Sequence, residues 1–209
     1  MLSFLKFILR EQTEKHHVLF WGRVNPPTAG HEQAYNTVKS EMKNNNAGGS
    51  MILSRSHDAK NPLTPEQKQM HAQHAFPDVN VSVADAEHPT ILHQLSKLHN
   101  SGVTHLTMVA GSDRIPEYNK LINNYNGKEG AHGLYNFKHV KFVSAGERDP
   151  DAEGVEGVSG TSQREHAKNN DFESFKKGAP STMKPEHVKK LFDDVRTGLE
   201  NAPKSKKKK

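Results

Sequence analysis

The sequence predicts an α/β fold, a Rossmann-like open parallel sheet of five strands with helices on both faces. Three observations support this prediction. Short apolar runs alternate with amphipathic segments along most of the chain. The runs at 17–24 and 105–113 are almost continuously apolar, as strands buried on both faces are, and each reaches a Gly near its end. Strands that alternate with helices in this way form parallel sheets with right-handed crossovers.

The predicted strands follow the apolar runs and end at polar turns. We place them at 17–24, 51–56, 80–85, 105–113 and 140–146. The segment NNNAGGS at 44–50 is predicted to be a loop because it is rich in Asn and Gly. Ligands of open parallel sheets bind outside the carboxyl ends of the strands. We therefore expect the turns after residues 24, 56, 85, 111 and 146 to surround one site.

Helices are predicted between the strands from apolar residues at helical spacing. The first extends from about Gly30 to Lys43, with Ala34 and Val38 facing the core. The second, in LTPEQKQMHAQHAF, begins with a capping box: Thr is the N-cap, Pro follows it, and Gln stands three residues after the cap. Further helices are predicted around 91–98, through 115–121, from about residue 161, and from about residue 185 with Val188, Leu191, Phe192, Val195 and Leu199 on one face.

The composition excludes several classes of protein. The chain has 209 residues, 33% of them hydrophobic, and no cysteine, so it holds neither a disulfide framework nor a thiolate metal site. No segment approaches the roughly 20 apolar residues that cross a bilayer, and we expect no membrane contact. Five lysines lie in the final KSKKKK, and without them 24 basic residues balance 24 acidic ones. The net charge of +5 therefore belongs to the tail.

The turn GRVNPPTAGH at 22–31 is predicted to bind phosphate. Gly22 and Gly30 allow close approach of the backbone, and the two prolines stiffen the loop. His31 then lies in the first helical turn, where unpaired N–H groups and the helix dipole favour an anion. Arg23 adds a positive charge. The alternative is a plain turn in which His31 caps or packs against the helix.

A second anion-binding helix start is predicted in SGTSQREH at 159–166. Ser159 and Thr161 can both act as N-cap hydroxyls, and Arg164 follows one turn later as a planar cation. The alternative is ordinary capping with an arginine at the surface. Two such helix starts in one α/β chain favour a shared phosphate ligand.

Together these motifs resemble those of the nucleotidyltransferase superfamily that shares its fold core with class I aminoacyl-tRNA synthetases. The first motif of that superfamily is usually His-x-Gly-His, and the second is Ile-Ser-Ser/Gly-Thr-x-x-Arg. GRVNPPTAGH is most similar to the nicotinamide-mononucleotide adenylyltransferases, and KNPLTPEQK at 60–68 and GSD at 111–113 are similar to further segments of that group. The likeness spans roughly residues 17–170. Segments such as YNGKEG also resemble nucleotidyltransferase-like proteins of large tailed phages.

The resemblance implies transfer of AMP from ATP to a phosphate-bearing acceptor such as nicotinamide mononucleotide, with release of pyrophosphate. His31, Arg164 and Thr28 would then be catalytic, and Mg²⁺ would accompany the triphosphate as cofactor. Thr28 replaces the usual first His, as it does in the pantetheine-phosphate adenylyltransferases. Lys60 would bind the acceptor phosphate. The nucleotide would contact Gly22, Arg23, Gly30, Gly111, Asp113, Ser159, Thr161 and Ser162.

No resident metal site is predicted. The acidic segment GERDPDAEG at 146–154 lacks the ligand spacing of a calcium loop. The histidine pairs at 16–17 and at 71 and 74 lack further partners suited to zinc.

The domain organisation allows a second functional hypothesis. We predict an amphipathic leader at 1–12, a nucleotidyltransferase-like domain at 17–200 and a basic disordered tail at 201–209. The leader resembles those that direct internal proteins of tailed phages into the head, and Leu9-Arg10-Glu11 fits the cleavage rule of the prohead protease. The alternative function is therefore a non-catalytic protein of the virion interior or one associated with DNA. Its partners would be the capsid interior and, weakly, nucleic acid through the Lys tail. The expected location is the cytoplasm of the host cell, with packaging in the virion as the further expectation.

Overall fold

The structure is a computed structural model that describes residues 14–146 and 158–201. Within these ranges the chain forms one parallel sheet of five strands in the order β3-β2-β1-β4-β5. The predicted α/β fold class is confirmed. The strands are β1 (His16–Gly22), β2 (Gly48–Leu53), β3 (Asn80–Val83), β4 (His105–Ala110) and β5 (His139–Ser144).

Seven α-helices accompany the sheet in the same ranges. They are α1 (Ala29–Asn44), α2 (Pro65–Ala75), α3 (Ile91–Asn100), α4 (Ile115–Tyr125), α5 (Gly160–Lys168), α6 (Phe172–Lys177) and α7 (Pro185–Asn201). The sequence did not predict α6, whose six residues are too few for a helical stripe. It also extended the fourth strand too far, since Ser112–Arg114 forms a short 3₁₀ helix.

Both faces of the sheet are covered, which explains the continuous apolar run of β1. Alternate residues of a strand point to opposite faces. Val18 and Phe20 pack with the core formed by α1, α2, α5, α6 and α7. Leu19 and Trp21 face the second core, formed by α3 and α4. The predicted inward residues Ala34 and Val38 are buried in the first core.

The predicted limits of the second strand are wrong at both ends. β2 begins at Gly48 because the two glycines pair with His17 and Val18 of β1. A side chain at Gly49 would overlap the Met42 sulfur, so Gly here lets α1 approach the strand. At the other end, residues 54–56 leave the sheet.

The buried ammonium of Lys68 explains where β2 ends. Lys68 is 0% exposed, and its Nζ donates to the carbonyls of Ser54 at 2.6 Å and Ser56 at 3.0 Å. Burial lowers the pKa of the Lys68 side chain to about 8, against the raising effect of Asp58. The carbonyls that follow β2 are therefore satisfied by a side chain from α2 and not by a neighbouring strand.

The topology places a crevice beside β1. From β1 the chain moves outward through β2 to β3, and it then crosses to β4 on the other side of β1. Strand order reverses at that point, and the turns after β1 and β4 diverge to opposite faces. This reversal positions the site described below.

Three predicted segments lie outside the described residues. They are the leader at 1–12, residues 147–154 of the acidic segment, and residues 202–209 of the tail. No helix of the described ranges is long and apolar enough to cross a membrane.

Lys68 predicts a specific dependence of stability on pH. Because the folded-state pKa lies below the unfolded value, the unfolded chain binds more protons between pH 8 and 10, and stability rises over that interval. We expect the free energy of unfolding of the wild type to rise by about 1–2 kcal/mol relative to Lys68→Met from pH 8 to pH 10. Urea denaturation at each pH measures this difference. Lys120→Met, at an exposed lysine, is the control, and equal slopes for all three proteins would contradict the prediction.

Candidate functional site

A cavity of about 380 Å³ opens at the carboxyl ends of the strands. Its walls come from the turns after β1, β2, β4 and β5 and from the start of α5. The turn after β3, which we expected to contribute, does not line it. The cavity brings together the predicted site residues Gly22, Arg23, Thr28, Gly30, His31, Lys60, Gly111, Asp113, Ser159, Thr161 and Arg164.

Thr28 fixes the ring of His31 at the start of α1. The Thr28 N–H donates to His31 Nδ1 at 3.2 Å, and the Thr28 hydroxyl lies 2.8 Å from the same nitrogen. Because Nδ1 accepts from a backbone N–H, the neutral imidazole carries its proton on Nε2. The Thr28 hydroxyl in turn accepts from the His31 N–H, which completes a capping box. His31 therefore caps α1, as the alternative interpretation predicted, and it also lines the cavity.

The start of α1 offers fewer open amides than the sequence suggested. The Ala29 N–H donates to the Gly178 carbonyl at 3.0 Å, and the His31 and Glu32 N–H groups both turn back to Thr28. Only the Gly30 N–H of this first turn has no acceptor within the described chain. The loop after α6, which holds Gly178, had no signal in the sequence that would place it here.

The start of α5 forms the opposite wall. Ser159 is the N-cap, and it exchanges hydrogen bonds of 3.0 Å with Ser162. Ser162 is therefore part of the cap and, unlike the other predicted residues, does not line the cavity. The second predicted cap, Thr161, instead accepts from Arg164 Nη2 at 3.0 Å. In the described residues the Gly160 and Thr161 N–H groups have no acceptor, as an anion site at a helix start requires.

Asn25 joins the turn after β1 to the start of α5 and to the segment before α2, and sequence reasoning missed it. Its carbonyl accepts from Arg164 Nη1 at 2.8 Å. Its side chain donates to the Leu63 carbonyl at 3.2 Å and accepts from the Leu63 N–H at 3.1 Å. A Cβ at Gly160 would lie 3.2 Å from Arg164 Nη1, so glycine gives the guanidinium room beside this carbonyl. The sequence did offer one signal: a polar residue, Asn25, stands between an apolar run and two prolines.

The charge of the cavity favours a polyanion. Of the described residues that line it, four are cations and one, Asp113, is an acid. Arg114, a cation the sequence reasoning did not single out, pairs with Glu117 at 3.0 Å. Lys60 and Arg23 are exposed, so solvent weakens their individual effect. The four cations are Arg23, Lys60, Arg114 and Arg164.

Two aromatic side chains on the cavity wall were also missed. Trp21, the only tryptophan of the sequence, lies at the end of β1. Tyr118 of α4 donates to the Trp21 carbonyl at 3.4 Å, and burial raises the pKa of its phenol. Both rings offer surfaces on which a planar heterocycle can stack.

The described residues of this cavity form no carboxylate cage for a metal ion, since Asp113 is their only acid. Mg²⁺ is often held by one carboxylate together with substrate phosphates and waters. The donor set therefore fits a magnesium ion that arrives with a polyphosphate.

Comparisons with known proteins bear on the fold. The chain resembles a Plasmodium falciparum nicotinic acid mononucleotide adenylyltransferase complexed with NaAD, with a TM-score of 0.50 and 17% identity over 86% of this chain and 98% of that one. It also resembles Thermotoga maritima TmcAL bound with alpha-thio ATP, with a TM-score of 0.47 and 9% identity over 88% of this chain and 56% of that one. The first likeness, at 17% identity, shows a shared fold alone. No protein-family model matches the chain, and no curated protein matches its sequence.

The contacts of Asn25 with Leu63 and Arg164 predict that stability and anion binding are coupled. Asn25→Ala leaves the backbone N–H of Leu63 unpaired, whereas the Leu63 carbonyl keeps its contact with His57 Nδ1 at 3.2 Å. We expect the variant to cost about 1–3 kcal/mol of unfolding free energy. We also expect pyrophosphate to bind at least about tenfold more weakly, because the backbone carbonyl of residue 25, which accepts from Arg164, loses the side-chain contacts that fix its position. Denaturation and calorimetric titration measure the two effects.

Asn126→Ala is the matched control for this prediction. Asn126 holds the N–H and carbonyl of Phe137 in the same manner, at 2.9 and 3.1 Å, but lies outside the cavity. We expect it to lose stability and retain pyrophosphate binding. Equal loss of pyrophosphate binding in both variants would show that the loss comes from general loosening of the fold and not from the Asn25 contacts.

Proposed function

We propose that this protein is a nucleotidyltransferase that transfers AMP from ATP to a phosphate-bearing acceptor, with nicotinamide mononucleotide or nicotinic acid mononucleotide as the acceptor of first choice. One observation carries the proposal: the starts of α1 and α5, which bear His31 and Arg164, line one cavity whose charged residues are mostly cations. Among the described residues, the N–H groups of Gly30, Gly160 and Thr161 have no acceptor there. The choice of acceptor rests on the motif resemblance and on analogy at the level of the fold.

The reaction is an in-line displacement at phosphorus. A phosphate oxygen of the acceptor attacks the α-phosphorus of ATP, so that a new P–O bond forms. The bond from the α-phosphorus to the bridging oxygen breaks, and pyrophosphate leaves with that electron pair. No covalent bond to the protein forms. The protein contributes alignment of the two substrates and stabilisation of the charge that develops on the phosphate oxygens.

His31 donates from Nε2 to an oxygen of the triphosphate. The Thr28 hydroxyl and N–H hold the opposite nitrogen, so the ring presents a proton without needing to be cationic. Thr28 itself is 1% exposed, and we assign it as a positioning residue that acts through His31. A hydroxyl in this place orients the imidazole but adds no charge.

Arg164 and the amides of Gly160 and Thr161 bind the leaving pyrophosphate. The guanidinium is held by the Asn25 carbonyl and the Thr161 hydroxyl, so little side-chain freedom is lost when the anion binds. Lys60, on the wall formed by the turn after β2, receives the acceptor phosphate. Asp113, the one acid among the described lining residues, would help to hold a magnesium ion that arrives with the triphosphate, and the ion would neutralise phosphate charge.

We expect His31→Ala and Arg164→Ala each to lower turnover by about 10²-fold or more, because each side chain stabilises charge in the transition state. The measurement is steady-state release of pyrophosphate from ATP with a panel of mononucleotide acceptors. Arg164→Lys should restore little of the lost turnover, since an ammonium cannot contact the Asn25 carbonyl and the Thr161 hydroxyl in the way that the guanidinium does.

The matched control for His31 is His93→Ala. His93 holds the corresponding position in α3, where its Nδ1 lies 2.7 Å from the Thr90 hydroxyl, but it does not line the cavity. We expect its turnover to be unchanged. Unchanged turnover in both His31→Ala and Arg164→Ala would remove the mechanism. A wild-type protein inert toward every pair of substrates would favour the non-catalytic alternative.

Thr28 provides a test of positioning. Thr28→Val keeps the shape of the side chain and removes the hydroxyl that contacts His31, and we expect kcat to fall by about tenfold with little change in KM for ATP. Thr28→Ser should restore most of the rate. If Thr28→Val keeps its activity and Thr28→Ser loses it, the methyl packing of Thr28 matters and its hydroxyl does not.

A further inference from the structure

The amino-terminal edge of the sheet carries a row of histidines. β1, β4 and β5 each begin with a histidine, and the register pairs His16 with His105 and His105 with His139. In-register residues of neighbouring parallel strands face the same side of the sheet. This edge is opposite the cavity described above, because that cavity lies at the carboxyl ends of the same strands.

Glu14 completes a compact group of three possible ligands with two of these histidines. Its carboxylate oxygens lie 3.7 Å from His16 Nε2 and 3.8 Å from His105 Nε2. One ligand atom from each of the three residues lies within 4.8 Å of the other two. Around a tetrahedral ion with bonds of about 2.1 Å, ligand atoms stand about 3.4 Å apart. The three side chains need to close by an ångström or so, and Glu14 is exposed and can move.

The backbone that carries these ligands is fixed by hydrogen bonds. The Lys15 carbonyl accepts from the N–H groups of Thr104 at 2.9 Å and His105 at 3.2 Å. The Thr104 hydroxyl accepts from the Lys15 N–H at 3.0 Å and lies 3.0 Å from His105 Nδ1. If His105 Nδ1–H donates to that hydroxyl, Nε2 presents its lone pair toward Glu14, as in the outer shells of metal sites.

The positive charge nearest to this group in the sequence is that of Lys15, and it has a contact of its own. The Lys15 ammonium donates to the Ser101 carbonyl at 2.7 Å and is held by that contact. The rings of His16 and His105 stack with centroids 4.4 Å apart and an interplanar angle of 24°. To share one ion, the two rings must rotate until their Nε2 atoms converge, and both side chains are partly exposed.

We propose that Glu14, His16 and His105 bind a divalent transition-metal ion of the Zn²⁺ class. Two imidazoles and one carboxylate suit Zn²⁺ and Co²⁺, whereas Mg²⁺ and Ca²⁺ prefer oxygen ligands alone. Three protein ligands leave a position for water. The ion links the beginning of β1 to the beginning of β4. The sequence analysis predicted no zinc partners for His16 because the approach of His105 depends on the register of β1 with β4.

The test uses the full-length chain without an affinity tag, freed of metal by a chelator. We expect the wild type to bind one Zn²⁺ in calorimetric titration and to develop visible Co²⁺ absorption bands. His16→Gln, His105→Gln and Glu14→Gln should each weaken binding by about tenfold or more. Glu14→Gln is the decisive variant, since its exposed side chain supports no core contact.

The control is His187→Gln, which removes another stacked pair, that of His74 and His187 with centroids 3.7 Å apart. We expect this variant to bind as the wild type does. Absence of Zn²⁺ binding by the wild type would overturn the proposal, and so would loss of binding in the control with retention in the three ligand variants. A rise of the unfolding temperature with Zn²⁺ in the wild type, missing in Glu14→Gln, would support it independently.

Discussion

The site depends on one buried polar residue, Asn25, which is 4% exposed. Its side chain contacts both backbone groups of Leu63, and its carbonyl accepts from Arg164. Three segments that are distant in sequence are thereby fixed to one another: the turn after β1, the segment after β2 and the start of α5. Val24, just before it, has φ of 43°, an unfavourable conformation for a β-branched residue. The contacts of Asn25 offset that strain.

The same contacts organise the charges of the cavity before any ligand arrives. His31 is oriented by Thr28 and Arg164 by Asn25 and Thr161, so the two groups are directed by short hydrogen bonds to neighbouring backbone or hydroxyl groups. A site that is ordered in advance loses less side-chain entropy on binding. It also offers dipoles that need not reorient as charge develops, which is the main source of rate acceleration in charge-stabilising active sites.

The two ends of the parallel strands carry different kinds of functional group. At the carboxyl edge, turns and helix starts collect N–H groups and cations, which suit anions. At the amino edge, the register of β1 with β4 places His16 beside His105, and Glu14 lies two residues before His16; we propose that this group binds a transition metal. Both arrangements follow from the parallel direction of the strands, because it places all beginnings on one side and all ends on the other.

The sequence by itself determined the features whose hydrogen bonds and periodicity lie within a few neighbouring residues. These include the buried strands, the capping box at Thr64, the N-cap at Ser159, and the two motifs around His31 and Arg164. Tertiary contacts set the limits of β2, which depend on Met42 and Lys68, the partners of Asn25, and the pairing of His16 with His105. The physical reason is that these contacts join segments whose separation along the chain carries no local signal. Their energy is realised only once register and crossovers bring the segments together.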